Sequence, residues 1–156
     1  MASPDLSAEA LSAQKQSSGP AVSSCKDVPY KSIIPGGLQV GSVINVQGSI
    51  QYQPYRFQIN LRHKFGIAFQ YNPRFDENVV VRNTYEDGKW GPPERSEPMP
   101  FKGGERLMIT IICGPHQYEV FVNGEIAHTY KHRFTDLKEI DVLDIRGDVQ
   151  LTLVQP

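Results

Sequence analysis

Apolar and polar residues alternate along most of the chain from about residue 30 onward. Over 55–62, Tyr55, Phe57, Ile59 and Leu61 interleave with Arg56, Gln58, Asn60 and Arg62. Successive side chains of a strand point to opposite faces, so this run predicts a strand with one face buried and one wet. The pattern continues over 66–75, where Ile67, Phe69, Tyr71 and Phe75 are expected to point inward and Gln70, Asn72 and Arg74 outward. Residues 78–85 are rich in β-branched side chains and end at Glu86-Asp87-Gly88, a turn sequence. Leu107, Ile109, Ile111 and Cys113 share one side of 105–114. Residues 118–122 run into Asn123-Gly124, which favours a two-residue hairpin turn, and 126–130 supply the return strand. Strands are also expected over 43–50, 140–145 and 149–154, and a short helical turn fits 134–139. The sequence holds no amphipathic helix of useful length and no internal repeat. Many short strands with regular turns predict an all-β fold, an antiparallel sandwich or barrel.

The first residues read differently. Residues 1–24 are rich in Ser, Ala, Gln and Pro and contain no aromatic side chain. Such a segment buries too little apolar area to offset its ordering entropy. Residues 1–28 are therefore expected to form a flexible tail or linker, and 29–156 one domain.

Composition narrows the function. At 39% hydrophobic and 21% charged residues, the chain is ordinary for a globular domain. Its net charge of −1 gives no electrostatic reason to expect nucleic acid or an anionic membrane as partner. Apolar runs are only a few residues long, too short for membrane insertion by a helix. The N-terminus lacks the apolar stretch of a secretory signal. Cys25 lies in the polar segment and Cys113 in an apolar strand, so a reduced pair is expected. These features point to synthesis in the cytoplasm.

Candidate chemistry concentrates between Gln70 and Arg95. Gln70, Asn72 and Arg74 share the wet face of one expected strand. Asn83 arrives from the next strand, and Trp90 sits beside Gly91 in a Pro-rich turn. Carboxamides and a guanidinium offer directed donors and acceptors, while an indole offers an apolar plane. Together they suit a sugar, a ring with a hydroxyl rim and an apolar face. Rival chemistries are less well supplied. Cys113 and His116 lack an orienting third group for nucleophilic catalysis. His128 and His132 have a helical zinc spacing in a strand-like segment. Glu94, Glu97 and Glu105 form no readable acid/base pair. No enzyme activity, metal or cofactor is expected.

The chain resembles the galectin family over roughly 29–156. The resemblance rests on Ile34-Pro35-Gly36-Gly37-Leu38, Ile67-Ala68-Phe69, Asn72-Pro73-Arg74-Phe75, Val80-Val81-Arg82-Asn83-Thr84 and Trp90-Gly91. Met99-Pro100-Phe101, Phe121-Val122-Asn123-Gly124, Tyr130-Lys131-His132-Arg133 and Gly147-Asp148-Val149-Gln150-Leu151 extend it. It is most similar to one carbohydrate-recognition domain of a tandem-repeat galectin. The resemblance implies a two-sheet jelly-roll sandwich that binds β-galactosides without metal. It implies a cytoplasmic lectin exported without a signal peptide, whose partners are galactose-containing glycans on glycoproteins or glycolipids; a homodimer is left open. By the same resemblance, Asn72 and Arg74 meet the galactose C4 hydroxyl, Arg74 also reaches the neighbouring sugar, Asn83 meets the C6 hydroxyl and Trp90 stacks on the ring. Arg95 falls at the family's second arginine.

Two positions depart from the family pattern. Gln70 stands where the family has His, and Pro93 where it has Glu. Glu94 lies one residue later, which in a regular strand faces the other way. Glu94 joins the candidate sugar-binding set on the expectation that Pro92-Pro93 bends the strand enough to return it. The departures predict weakened or altered specificity, with a sugar-free interaction module as the alternative.

Overall fold

The computed structural model describes residues 25–96 and 99–156; residues 1–24, which hold most of the expected tail, lie outside the described residues. Twelve strands are present among the described residues. In chain order they are β1 (Tyr30–Ile33), β2 (Val43–Ile50), β3 (Phe57–His63), β4 (Gly66–Arg74), β5 (Val79–Glu86) and β6 (Lys89–Trp90). There follow β7 (Glu94–Ser96), β8 (Arg106–Cys113), β9 (Gln117–Val122), β10 (Glu125–Lys131), β11 (Val142–Gly147) and β12 (Val149–Gln155). One turn of 3-10 helix at Leu137–Glu139 falls within the expected helical turn.

The strands form two antiparallel sheets. The seven-stranded sheet runs β1-β11-β3-β4-β5-β6, with β7 also paired to β5; the five-stranded sheet runs β10-β9-β8-β2-β12. Their inner faces make the core expected from the alternation. Phe57, Ile59, Leu61, Phe69 and Tyr71 of the larger sheet meet Ile44, Val46, Leu107, Ile109, Ile111 and Val120 of the smaller one. Each fully buried side chain of this kind contributes roughly 1.5–3 kcal/mol. Phe69 stacks at 4.6 Å on Tyr118 and at 4.9 Å on Tyr130, joining the two sheets through aromatic faces. The hairpin at Asn123-Gly124 forms as expected, with φ of 52° and 89° at its two turn residues. Cys113 ends β8 buried, and burial pushes its thiol up to about 11.

The structure departs from the alternation at two places. Tyr55 precedes β3 and is exposed, so it adds nothing to the core. Ile67 faces away from Phe69 and Tyr71. Leu61 pairs with Phe69 and Arg62 with Ile67, so β4 carries one extra residue, Ala68, against β3. This bulge reverses the facing of the residues before it and sets Ile67 beside Arg62 on the outer face. The displaced Ala68 carbonyl accepts a 2.8 Å bond from Thr84 Oγ1, which leaves the bulge satisfied.

Contacts with the sandwich extend to residues ahead of β1. Lys26 N donates to Leu151 O at 2.8 Å, and Val28 packs against the core. No helix among the described residues is long and apolar enough to cross a membrane.

Candidate functional site

The outer face of the larger sheet carries a groove of about 820 Å³. Strand register builds it. Gln70 pairs with Asn60 on β3 and with Asn83 on β5, while Asn72 pairs with Val81. Val81 in turn pairs with Arg95 on β7, and Tyr85 with Trp90 on β6. Directly paired residues share a face, so five adjoining strands aim polar groups into one opening. Six of the seven expected site residues line it: Gln70, Asn72, Arg74, Asn83, Trp90 and Arg95.

Trp90 forms one wall. Its indole is 46% exposed and leans edge-on against Tyr85 at 5.1 Å, which holds the ring upright without covering it. Gly91, next along, bonds its N–H to Thr84 O at 3.0 Å. A Cβ at Gly91 would stand 2.9 Å from Arg133 Nη1 and 3.4 Å from Asn83 Oδ1, so a larger residue here would displace the end of the Arg133 side chain.

The polar groups are fixed by the protein and keep specific valences open. Gln70 is 8% exposed; its Nε2 donates to Gln58 Oε1 at 3.1 Å and Asn60 Oδ1 at 3.0 Å. Both amide hydrogens are used, so Gln70 offers its carbonyl oxygen as an acceptor. Asn72 donates one amide hydrogen to Phe57 O at 2.7 Å and accepts from Arg74 Nε at 2.8 Å, keeping one N–H. Asn83 donates one to Gly91 O at 2.8 Å, and its Oδ1 accepts from Thr84 N at 2.7 Å and Arg133 Nη1 at 3.1 Å. It too keeps one N–H. Arg74 keeps its Nη2 after bonding Asn72 and Glu77. The groove thus presents three sets of donors and one acceptor around an apolar plane.

Glu94 does not join them. It pairs in register with Arg82, whereas Arg95 pairs with Val81, so Glu94 stands on the opposite face from the groove. The Pro92-Pro93 pair does not swing it back. Its carboxylate lies 3.2 Å from Arg133 Nη2 and 3.9 Å from Arg82 Nη2. Pro93 lines the groove in its place.

A different carboxylate organises the arginines. Glu77, in the turn between β4 and β5, accepts from Arg56 Nη2 at 2.9 Å, from Arg74 Nη1 at 3.3 Å and from Arg95 Nη2. The Arg95 hydrogen bond, with the charges of Arg74, Arg95 and Arg56, holds its carboxyl below the usual range. Asp76 accepts from the same Arg56 Nη2 at 2.9 Å and from its Nε at 3.0 Å, and this pairing lowers its pKa in turn. Sequence reasoning missed Glu77 because it belongs to a turn and has no strand parity. Its only signal was an acidic pair, Asp76-Glu77, two residues after Arg74. Arg133 was also missed as a site residue. It donates to Asn83, to Pro92 O at 2.8 Å and to Glu94, and stacks on Tyr130 at 4.8 Å. It therefore ties Asn83 to the Trp90 turn.

The galactoside-binding lectin family model matches residues 29–155. The chain belongs to the galectin family. This galectin domain is 38% identical to galectin-3 of Oryctolagus cuniculus over 128 residues, covering 80% of the chain and 53% of the relative. It is 40% identical to a 32 kDa beta-galactoside-binding lectin of Caenorhabditis elegans, covering 82% and 46%. Galectin-4 of Sus scrofa is 36% identical, with 82% and 41% covered. The chain spans about half the length of the curated relatives it matches. Among solved structures, sheep galectin-11 in complex with glycerol matches with a TM-score of 0.75 at 25% identity, covering 81% of this chain and 95% of that one. The Caenorhabditis elegans galectin LEC-6 matches at 0.77 and 24% identity, covering 85% and 94%. These likenesses agree with the two-sheet sandwich of this galectin. Among the described residues no group of three His, Cys, Asp or Glu stands close enough to hold a metal ion.

Proposed function

We propose that this domain is a non-catalytic lectin for β-galactoside-containing glycans, with its specificity reset at Gln70 and Glu77. The observation that carries the reading is the convergence of an exposed indole with fixed, incompletely used polar groups in one groove. The axial C4 hydroxyl of galactose accepts from the Asn72 N–H and Arg74 Nη2 and donates to the Gln70 carbonyl. The remaining Asn83 N–H serves the C6 hydroxyl, and Trp90 covers the C–H face. A glucose-type C4 hydroxyl is equatorial and misses this set, so a hydroxyl's direction sets the specificity.

Gln70 keeps an acceptor at its position because its neighbours consume both donors. Glu77 supplies the carboxylate that Pro93 cannot, and it orders Arg74 and Arg95 for a sugar attached to galactose. The proposed partners are galactose-bearing glycoproteins and glycolipids. Lactose titrated into the protein by calorimetry tests the proposal. The single Trp gives a second readout, since a sugar stacked on Trp90 shifts its emission. Binding lost in Arg74→Ala supports the reading; no heat and no emission change at millimolar lactose refutes it.

A further inference from the structure

Glu94 stands behind the groove, yet it lies one contact away from the groups that shape its Trp90 corner. The link from β6 to β7 is Gly91-Pro92-Pro93, with Trp90 just before it and Glu94 just after. Pro92 and Pro93 have no backbone N–H, so beyond Gly91 this link can be hydrogen-bonded only through its carbonyl oxygens. Side chains take two of them. Asn83 Nδ2 donates to Gly91 O at 2.8 Å, and Arg133 Nη2 donates to Pro92 O at 2.8 Å. Arg133 arrives from beyond the end of β10, an edge strand of the smaller sheet. Its guanidinium lies over the Tyr130 ring at 4.8 Å, and its Nη1 donates to Asn83 Oδ1 at 3.1 Å. One guanidinium thus holds both the turn that carries Trp90 and the carboxamide assigned to the C6 hydroxyl. Glu94 supplies a carboxylate to that guanidinium, 3.2 Å from Nη2.

Of the three acceptors on Arg133, Asn83 and Pro92 are neutral and Glu94 is charged. A charge-assisted hydrogen bond is roughly twice as strong as a neutral one, so Glu94 is the strongest single restraint on this guanidinium. Without it, Arg133 is held by two neutral acceptors and the Tyr130 ring, and Asn83 Oδ1 has Thr84 N as its firm partner. Glu94 also faces the sandwich interior. Its Oε1 lies 3.9 Å from Arg82 Nη2, on a side chain only 5% exposed. Burial lowers the Arg82 pKa, and the charge of Glu94 opposes that. The carboxylate therefore touches one arginine that serves the core and another that serves the groove. We propose that Glu94 is a positioning residue for galactoside recognition, fixing the Asn83 carboxamide and the Trp90 turn through Arg133 without touching the sugar. The inference rests on the galactoside reading of the same groove. With Pro93 on the groove side, the acidic residue of this turn acts from the opposite face.

Calorimetry on the full chain with lactose and 6′-deoxylactose, which lacks the hydroxyl assigned to Asn83, tests this. The unmodified chain is expected to prefer lactose by roughly three- to tenfold, the span of one neutral hydrogen bond. In Glu94→Ala, lactose is expected to bind about three- to fivefold more weakly, a modest loss because the carboxylate is partly exposed, and the preference over 6′-deoxylactose falls toward one. Acrylamide quenching of the single Trp rises in the sugar-free variant, because the turn that carries it is released. Glu94→Gln, which keeps an acceptor without the charge, falls between the two, and it carries the comparison if Glu94→Ala does not fold. A lowered melting temperature with an unchanged sugar preference is what the Arg82 contact alone would give, and overturns the inference. Arg133→Met tests the route. In that background Glu94→Ala is expected to leave the preference where Arg133→Met alone puts it, and a further fall overturns the inference. Equal binding of the two sugars by the unmodified chain also overturns it and leaves the galactoside reading standing. No lactose binding by the unmodified chain overturns both.

Discussion

Glu77→Gln removes one charge and keeps the shape of the side chain. In the native protein that carboxylate is shared by Arg56, Arg74 and Arg95. The glutamine still accepts one hydrogen bond but turns a donor toward one of the three guanidiniums. If the amide nitrogen replaces Oε1, Arg95 loses its anchor; if it replaces Oε2, Arg56 loses this contact and Arg74 keeps only its tie to Asn72. A hydrogen bond to a charged group changes an affinity by roughly 10- to 150-fold when fully desolvated. These arginines are a quarter to a half exposed, so screening sets the effect at the lower end. The expected result is about tenfold weaker lactose binding, with a melting temperature within ~2 °C of the unmodified protein. Calorimetric titration with a parallel thermal melt reads both. Adding Pro93→Glu to this variant returns a carboxylate to the groove side of the Trp90 turn and is expected to recover part of the loss. Unchanged lactose affinity in Glu77→Gln would refute the assignment of Glu77 as the organising carboxylate.

Three further outcomes follow from the geometry. Lactose affinity is expected to stay flat from pH 7 to about 5, because a carboxylate with a lowered pKa remains ionised there and is protonated only below the usual range; a fall centred near pH 6 contradicts this. Arg133→Met keeps an apolar stem beside Tyr130 but removes the guanidinium from Asn83, Pro92 O and Glu94, and is expected to cost roughly 1–2 kcal/mol of stability and weaken lactose binding, read by denaturant melts and titration. His128 bonds Tyr71 in the core, and burial, with the charge of Arg82, lowers its pKa to about 4. The unfolded chain takes up this proton near pH 6.5 and the folded one only near 4, so stability is expected to fall as pH drops through that window, and melts of His128→Gln to be flatter across it.

The alternation of side chains revealed the sandwich because its central strands bury one face and wet the other. It was silent for β1, β6 and β7, which span four residues or fewer and have too few positions to show a period. Parity also brought Gln70, Asn72 and Arg74 to one face, where they are found. It argued correctly that Glu94 points the wrong way, and the expectation that a Pro-Pro pair would reverse this did not hold. Glu77 and Arg133 were illegible for another reason. Their partners come from turns and from segments up to 50 residues away, as in the Arg133–Asn83 bond. Only the closed fold brings such groups together. Tyr55 shows the opposite failure, an apolar residue in phase with the core that lies beyond the end of its strand.

The extra residue at Ala68 has a consequence for how this groove can change. It confines a shift of phase to the first two residues of β4, so Ile67 opens toward Arg62 while Gln70, Asn72 and Arg74 keep their alignment with β3 and β5. Lengthening or shortening the β3–β4 connection would therefore remodel the far end of the cleft and leave Gln70, Asn72 and Arg74 in register. The irregularity works as an insulating joint, behind which one lectin scaffold can diversify its outer contacts while its primary recognition stays fixed.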